Sequence, residues 1–228
     1  DATMYSTRAA YNNCSALHDV QFGQLKYDDL QDVVNSCSLK RSSIELIVSL
    51  LHQMYRYAMK YEIVDKDYSQ FLYMPKEEDD ESGEPFTDME LEILWKDKDD
   101  PITQMILIMC YSGYRIKAFE NIEVNLKDKY FKGGVKTKAS KERIVPIHPS
   151  IYDFVRNRYS GNNLLGCTSS TFRRNMYSKL ELLGISKTES GKKHTPHDCR
   201  HTFSALCEKY GVSENDRKRM MGHSFGND

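Results

Sequence analysis

Two segments of the sequence place cationic side chains where a helix begins. Residues 112–116 read Ser-Gly-Tyr-Arg-Ile, and a glycine just before Arg115 lets this side chain and the helix backbone N–H groups face one anion. Residues 194–203 read His-Thr-Pro-His-Asp-Cys-Arg-His-Thr-Phe. His197 and Arg200 are three residues apart, so on a helix they share a face and both reach one phosphate. The pattern predicts an oxyanion site, although arginines at helix starts are more often ordinary surface residues.

A third basic segment lies in a predicted hairpin turn at 136–143, Lys-Thr-Lys-Ala-Ser-Lys-Glu-Arg. A mobile lysine at the tip of a hairpin can reach a phosphate or donate a proton to a leaving oxygen. The alternative is an ordinary solvated hairpin. The histidines and the cysteine of residues 194–203 also suggest a metal site, but the spacing His-Glu-x-x-His and a further ligand are absent, so we predict no metal.

The order of these segments is more specific than any one of them. It runs Gly-x-Arg at 113–115, the lysine-rich hairpin followed by Glu-Arg-Ile-Val-Pro-Ile at 142–147, His-x-x-Arg-His-Thr-Phe at 197–203, and Gly-His-Ser at 222–224. This order resembles the tyrosine recombinase (phage integrase) family, and the last two motifs are the most diagnostic. The resemblance covers the chain from about residue 85 to its last residue.

The resemblance implies a role for each matching residue. Arg115 and Arg200 would clamp the non-bridging oxygens of the scissile phosphate, since bidentate guanidinium groups suit a multiply charged transition state. His197 would act as an acid/base group or bind the phosphate, and His223 would be a second hydrogen-bond donor to it. His201 is expected to pack and hold the helix.

Lys136 matches the hairpin lysine of the family, a general acid for the 5′-oxygen that leaves, with Lys138 and Lys141 as alternatives. Five basic side chains are predicted to bind DNA: Lys138, Lys141, Arg143, Arg173 and Arg174. The resemblance implies no metal or nucleotide cofactor, because a phosphotyrosine bond stores the energy of the broken phosphodiester bond.

The sequence departs from the family in two places. The family has an acidic residue three positions after the first arginine, where this chain has Ala118; Glu120 is near but is predicted to face elsewhere. The nucleophilic tyrosine is expected a few helical turns after Gly222, beyond Asp228, whereas Tyr210 precedes this point and is predicted to be a packing residue. We therefore expect a fragment, without an arm-binding region or the nucleophile, that binds DNA without cleaving it.

Composition and charge agree with a globular DNA-binding protein. The 228 residues are 39% hydrophobic and 29% charged, which excludes wholesale disorder, and the apolar runs are too short to span a membrane. Residues 1–74 hold 7 basic and 9 acidic residues, residues 75–100 hold 3 and 12, and residues 101–228 hold 22 and 12. The basic last part predicts a polyanionic partner. Six cysteines without a paired spacing indicate reduced thiols.

The elements that position these residues are mainly α-helical. We predict a helical core-binding domain at 1–74, an acidic linker at 75–85, and an α+β catalytic domain at 86–228 with one small β-sheet. The first domain includes Tyr-Asn-Asn-Cys at 11–14, which is similar to the integrases of conjugative transposons. The β signal is a hairpin formed by residues 130–131 and 141–147.

The resemblance implies a site-specific recombinase that cuts and rejoins duplex DNA through a 3′-phosphotyrosine intermediate and moves a mobile element in and out of DNA. Its partners would be the recombination site and other recombinase subunits, as a dimer and a tetrameric synapse, in the cytoplasm and without a membrane. Two alternatives stay open, a non-catalytic DNA-binding regulator with the same fold and an enzyme like type IB topoisomerases.

Overall fold

The structure, a computed structural model, describes residues 2–74, 83–134, 143–161 and 163–222. The chain divides into two compact units, Asp1–Asp80 and Glu81–Asp228. Within the described ranges, no helix has the length and apolar character needed to cross a membrane.

The first unit is helical. It contains α1 (Ala2–Asn12), α2 (Tyr27–Ser36) and α3 (Arg41–Lys60), with 3₁₀ turns at Ser15–Leu17, Phe22–Gln24 and Tyr68–Phe71. The apolar residues of α3 recur at helical spacing, and Ile47, Leu51 and Tyr55 form one buried stripe. This stripe packs against α1 and the last 3₁₀ turn. The helical structure predicted for this part is confirmed.

The second unit surrounds one apolar helix. Its elements are α4 (Asp88–Lys96), α5 (Pro101–Cys110), a 3₁₀ helix (Ile116–Glu120), β1 (Glu123–Asn125), β2 (Tyr130–Lys132), β3 (Ile144–Pro146), α6 (Pro149–Arg158), α7 (Ser169–Leu182), α8 (Pro196–Lys209) and α9 (Glu214–Met221). Helix α5 is apolar all round and is fully buried from Met105 to Cys110. It packs against α6, α7 and α8, so it forms the centre of this unit.

The three strands form one small antiparallel sheet in the order β1-β2-β3. Val124, Phe131 and Val145 stand opposite one another and point into the core. The fold class is therefore as predicted, mainly α with a small sheet. The predicted hairpin corresponds to β2 and β3, and β1 was not predicted. Its three residues are too few for the alternation of buried and exposed side chains to be recognised.

Two further local predictions differ from the structure. The helix expected after Arg115 is a short 3₁₀ helix. Tyr210, predicted to be a packing residue, is 74% exposed at the C-cap of α8. It lies just past the last helical residue, where the buried face of the helix no longer shields a side chain.

Candidate functional site

Helix α8 carries the two residues predicted to share a face. It begins with a capping box, in which the Thr195 hydroxyl accepts a hydrogen bond from the backbone N–H of His197, and the Asp198 carboxylate accepts one from the backbone N–H of Thr195 at 2.7 Å. Pro196 at the first helical position favours this start. The cap places His197 and Arg200 in the first two turns, where the helix dipole is positive.

The Arg200 guanidinium joins two distant parts of the second unit. Its Nη1 donates to the carbonyl of Gly113 at 2.6 Å, and its Nη2 donates to the carbonyl of Met221 at 2.5 Å. Gly113 has a φ of +66°, and a Cβ at this position would lie 2.4 Å from the Phe203 ring of α8. Only glycine permits this approach. The turn that precedes Arg115 therefore lies directly against α8.

Arg143 joins the same site from the start of β3. Its side chain is buried, and its guanidinium carbon lies 3.9 Å from the centre of the Tyr114 ring. Its Nη1 donates to the Met221 carbonyl, the same oxygen that accepts from Arg200. Its Nε is buried without a hydrogen-bond partner in the described part of the chain. We term Arg115, Arg143 and Arg200 the arginine cluster.

The electrostatics of the arginine cluster favour an anion. Burial, followed by repulsion from Arg143 and Arg115, lowers the pKa of Arg200 to about 9. Burial is also the main cause that lowers the pKa of Arg143. His197 lies on the exposed side of α8, and its pKa is lowered first by partial burial and then by His201, Arg200 and Arg115. Since like charges gathered at one point repel, an oxyanion here would offset that repulsion.

A second group lies on the other side of the first turn of α8, and here an imidazole lies between two carboxylates. His194 is fully buried; its Nδ1 lies 3.1 Å from Asp198 Oδ2, and its Nε2 lies 3.2 Å from Glu90 Oε1. The Phe86 ring stacks on the imidazole at a centroid distance of 4.1 Å. We term His194, Glu90 and Asp198 the carboxylate–histidine cluster.

His201 lies between the two clusters. Its ring meets the His197 ring edge to face at a centroid distance of 5.0 Å. His201 Nε2 and Asp198 Oδ1 are both buried without a hydrogen-bond partner among the described atoms. Both border the backbone of Gly83, where a Cβ would lie 2.6 Å from the nitrogen and 2.8 Å from the oxygen. Gly83 therefore lets the chain pass close over α8.

The remaining predicted residues fall in three places. Arg173 and Arg174 are exposed on α7. Ala118, at the position where the family has an acid, is buried, while Glu120 Oε1 accepts from the backbone N–H of Ser169 at 2.8 Å and thus holds the start of α7. Four predicted residues lie outside the described residues: Lys136, Lys138, Lys141 and His223.

Sequence reasoning did not foresee two features of the site. Arg143 was predicted as a DNA contact, but not as a buried neighbour of Arg200. Strand alternation was the available signal, since Arg143 is two residues before the inward-facing Val145. The pairing of His194 with Glu90 spans 104 residues and left no local signal.

Neither a family model nor a curated protein matches this chain. Solved structures do match it over its whole length. A lambda integrase dimer bound to a COC′ core site has a TM-score of 0.78 and 15% identity, and the match covers 100% of this chain and 70% of that chain. A lambda integrase tetramer bound to a Holliday junction has a TM-score of 0.78 and 16% identity, covering 100% and 73%.

The Tn1549 transposon integrase in complex with transposon right end DNA is similar to the same degree. Its TM-score is 0.80 at 18% identity, and the match covers 99% of this chain and 86% of that chain. Because these matches extend over both units at low identity, they establish that the chain has the fold of these integrases.

Proposed function

We propose that this protein is a site-specific DNA recombinase of the tyrosine recombinase type that acts on duplex DNA. The arginine cluster is the observation that carries the proposal. It gathers cations from a turn, a strand and a helix into a buried site, where Arg143 Nε lacks a partner in the described part of the chain. Because the chain shares the fold of integrases solved on DNA, the anion that best fits this site is a phosphodiester.

In the proposed reaction a tyrosine hydroxyl attacks the scissile phosphate, a 3′-phosphotyrosine bond forms, and the bond to the 5′-oxygen breaks. Arg115 and Arg200 would stabilise the charge that develops on the non-bridging oxygens. Lys136 would give its proton to the leaving 5′-oxygen. The lowered pKa of His197, caused mainly by burial, keeps its imidazole neutral near pH 7, so it can accept the tyrosine proton.

The nucleophile sets the limit of what residues 1–228 can do. In the family pattern it follows Gly222, and no tyrosine follows Gly222 in this sequence. Tyr210 lies before that point, exposed at the end of α8. We propose that these residues bind DNA without themselves forming the phosphotyrosine bond. From the resemblance of the sequence to conjugative-transposon integrases, we propose that the biological reaction is the integration and excision of a mobile element.

The proposed DNA contacts extend beyond the arginine cluster. Residues 86–228 would be the catalytic domain and 1–74 the core-binding domain, with residues 75–85 as the linker. Exposed Arg173 and Arg174 on α7 would bind phosphates at some distance from the cut, together with the hairpin lysines. By analogy with the lambda integrase dimer and tetramer, we propose that subunits of this protein pair on DNA.

Binding to a 30-base-pair duplex, followed by fluorescence anisotropy, tests the proposal. Affinity should fall at least about hundredfold between 50 and 200 mM salt, because several phosphates are neutralised. Affinity that does not change with salt would contradict DNA recognition through phosphates. A covalent-adduct assay on nicked duplex should give no adduct with residues 1–228; an adduct would place the nucleophile within them.

Two variants separate the site from the rest of the surface. Arg200→Ala should abolish binding of sulfate, a probe of the arginine cluster, and leave most duplex affinity. Arg173→Ala, an exposed control, should keep sulfate binding and weaken duplex binding with a smaller salt dependence. Duplex binding without any sulfate binding in the wild-type protein would favour a non-catalytic DNA-binding regulator instead.

A further inference from the structure

Both ring nitrogens of His194 face carboxylate oxygens. Nδ1 lies 3.1 Å from Asp198 and Nε2 lies 3.2 Å from Glu90. A carboxylate only accepts hydrogen bonds, and a neutral imidazole has only one N–H to donate. Both contacts are therefore satisfied together when the ring is an imidazolium. Among the described residues, no group of three or more His, Cys, Asp or Glu side chains is arranged to hold a metal ion.

The surroundings of His194 favour its charged form. The charged groups that face the ring are Glu90 from α4 and Asp198 from α8, and the Phe86 ring covers one side of it. Burial lowers the pKa of His194, but the hydrogen bonds and charges of the two carboxylates outweigh burial and leave the pKa raised. In its protonated form the ring is thus a buried cation between the buried Asp198 and the partly buried Glu90.

Each of these carboxylates also caps a helix. Glu90 Oε2 accepts from the backbone N–H of Thr87 at 2.8 Å, and Asp198 Oδ2 accepts from the backbone N–H of Thr195 at 2.7 Å. The two acids occupy the same position in the capping boxes of α4 and α8. One doubly protonated ring therefore fastens the first turns of two helices to each other.

This connection reaches the proposed phosphate site within one helical turn. His197 precedes Asp198 directly, and Arg200 follows two residues later. The backbone N–H of Phe86 donates to Thr202 Oγ1 at 2.8 Å and adds a second link from the segment before α4 to α8. A shift of the first turn of α8 would move His197 and Arg200 together, and small displacements of such groups weaken a site strongly.

We propose that His194 is a positioning residue of the phosphate site: through Asp198 and Glu90 it holds the first turn of α8 so that His197 and Arg200 face one anion. This role rests on the proposed function. As pH rises and the ring loses a proton, one carboxylate loses its donor, the connection between α4 and α8 weakens, and anion affinity falls.

Glu90→Gln is the variant that tests this role, because glutamine keeps the capping box but not the charge. The first measurement follows the His194 ring by NMR against pH in residues 1–228 without DNA. Removal of one of two close negative charges should lower the pKa of His194 by about one unit or more. Glu92→Gln, an exposed control on the same helix, should leave it unchanged. An equal pKa in wild type and Glu90→Gln would overturn the proposal.

The second measurement is sulfate affinity from pH 7 to pH 10, above the range in which His197, with its lowered pKa, loses its proton. The wild-type protein should lose affinity in two steps, the first as His194 loses its proton and the second near the Arg200 pKa of about 9. Glu90→Gln should move the first step to lower pH by the shift seen by NMR, reduce affinity several-fold at pH 7.5 and leave the second step in place. Glu92→Gln should follow the wild-type curve.

The outcomes distinguish this role from the proposed function. A wild-type curve that Glu90→Gln does not alter would refute the positioning role alone, even if His194 titrates as expected. Failure of the wild-type protein to bind sulfate or duplex DNA at every pH would refute the phosphate site and the role of His194 with it.

Discussion

Two clusters of charged side chains flank the first turns of α8, and they differ in how their charges are arranged. In the carboxylate–histidine cluster each charge has an opposite partner within 3.2 Å. In the arginine cluster the positive charges of Arg143 and Arg115 lower the pKa of Arg200. Contacts between opposite charges hold elements together, whereas like charges gathered at one point favour an anionic ligand. The contrast separates the residues that build this region from those that we propose bind the phosphate.

The largest effect is expected from Asp198→Ala. This change removes a helix cap and leaves the buried His194 cation with one partner, so the free energy of unfolding should fall by about 3–5 kcal/mol. Urea unfolding at pH 6, followed by the fluorescence of Trp95, reports on the second unit because this is the only tryptophan of the chain. Asp216→Ala is the control, since Asp216 has the same position in the cap of α9 but is exposed; it should cost about 1 kcal/mol or less. Equal losses would erase the contrast.

Arg143→Met is expected to change stability less than Asp198→Ala does and to affect anion binding instead. Loss of the hydrogen bond to Met221 is offset by relief of a buried cation that has no carboxylate partner in the described part of the chain. The free energy of unfolding should change by less than about 1 kcal/mol, while sulfate affinity falls about tenfold. Calorimetric titration with sulfate gives the affinity, and exposed Arg156→Met should leave it unchanged. A loss of stability as large as that of Asp198→Ala would make Arg143 a structural residue.

The smallest effect is expected at His197. Its pKa lies below the usual value of 6.5, first because of burial and then because of neighbouring positive charge. A folded pKa below the unfolded one means that protonation of His197 opposes folding as pH falls through 6.5. Bound sulfate offsets the positive charge, so it should raise the pKa of His197 by at most about one unit and bind several-fold more tightly at pH 6 than at pH 7. NMR titration with and without sulfate measures the pKa of His197 and the sulfate affinity. The His52 ring is the control, and sulfate should not change its titration. An unchanged pKa would place the anion away from His197.

Local features of this chain could be predicted from sequence. The helix shared by His197 and Arg200 was predicted from two residues three positions apart, and the structure places both on α8. The buried stripe of α3 likewise follows from its own spacing. In each case the residues that determine the element also belong to it.

The parts that sequence reasoning missed depend on distant residues. Arg143 meets the Met221 carbonyl across 78 residues, and His194 meets Glu90 across 104. Strand alternation indicates that Arg143 points inward, but nothing near it in the sequence indicates that its guanidinium meets another arginine. The exposure of Tyr210 is likewise decided by where α8 ends relative to its neighbours. Short sequence motifs indicate which residues belong to a candidate site of this kind. Which charges lie next to one another depends on the tertiary fold.

The hydrogen bond from Arg200 to Gly113 closes a loop of 87 residues, and Met221 completes the arginine cluster from the far end of the second unit. Closing such loops has a large entropic cost and slows folding. During synthesis, the guanidinium groups cannot converge until α9 has left the ribosome. The proposed phosphate site therefore forms only after Gly113, Arg200 and Met221 have all been made, later than the local helices.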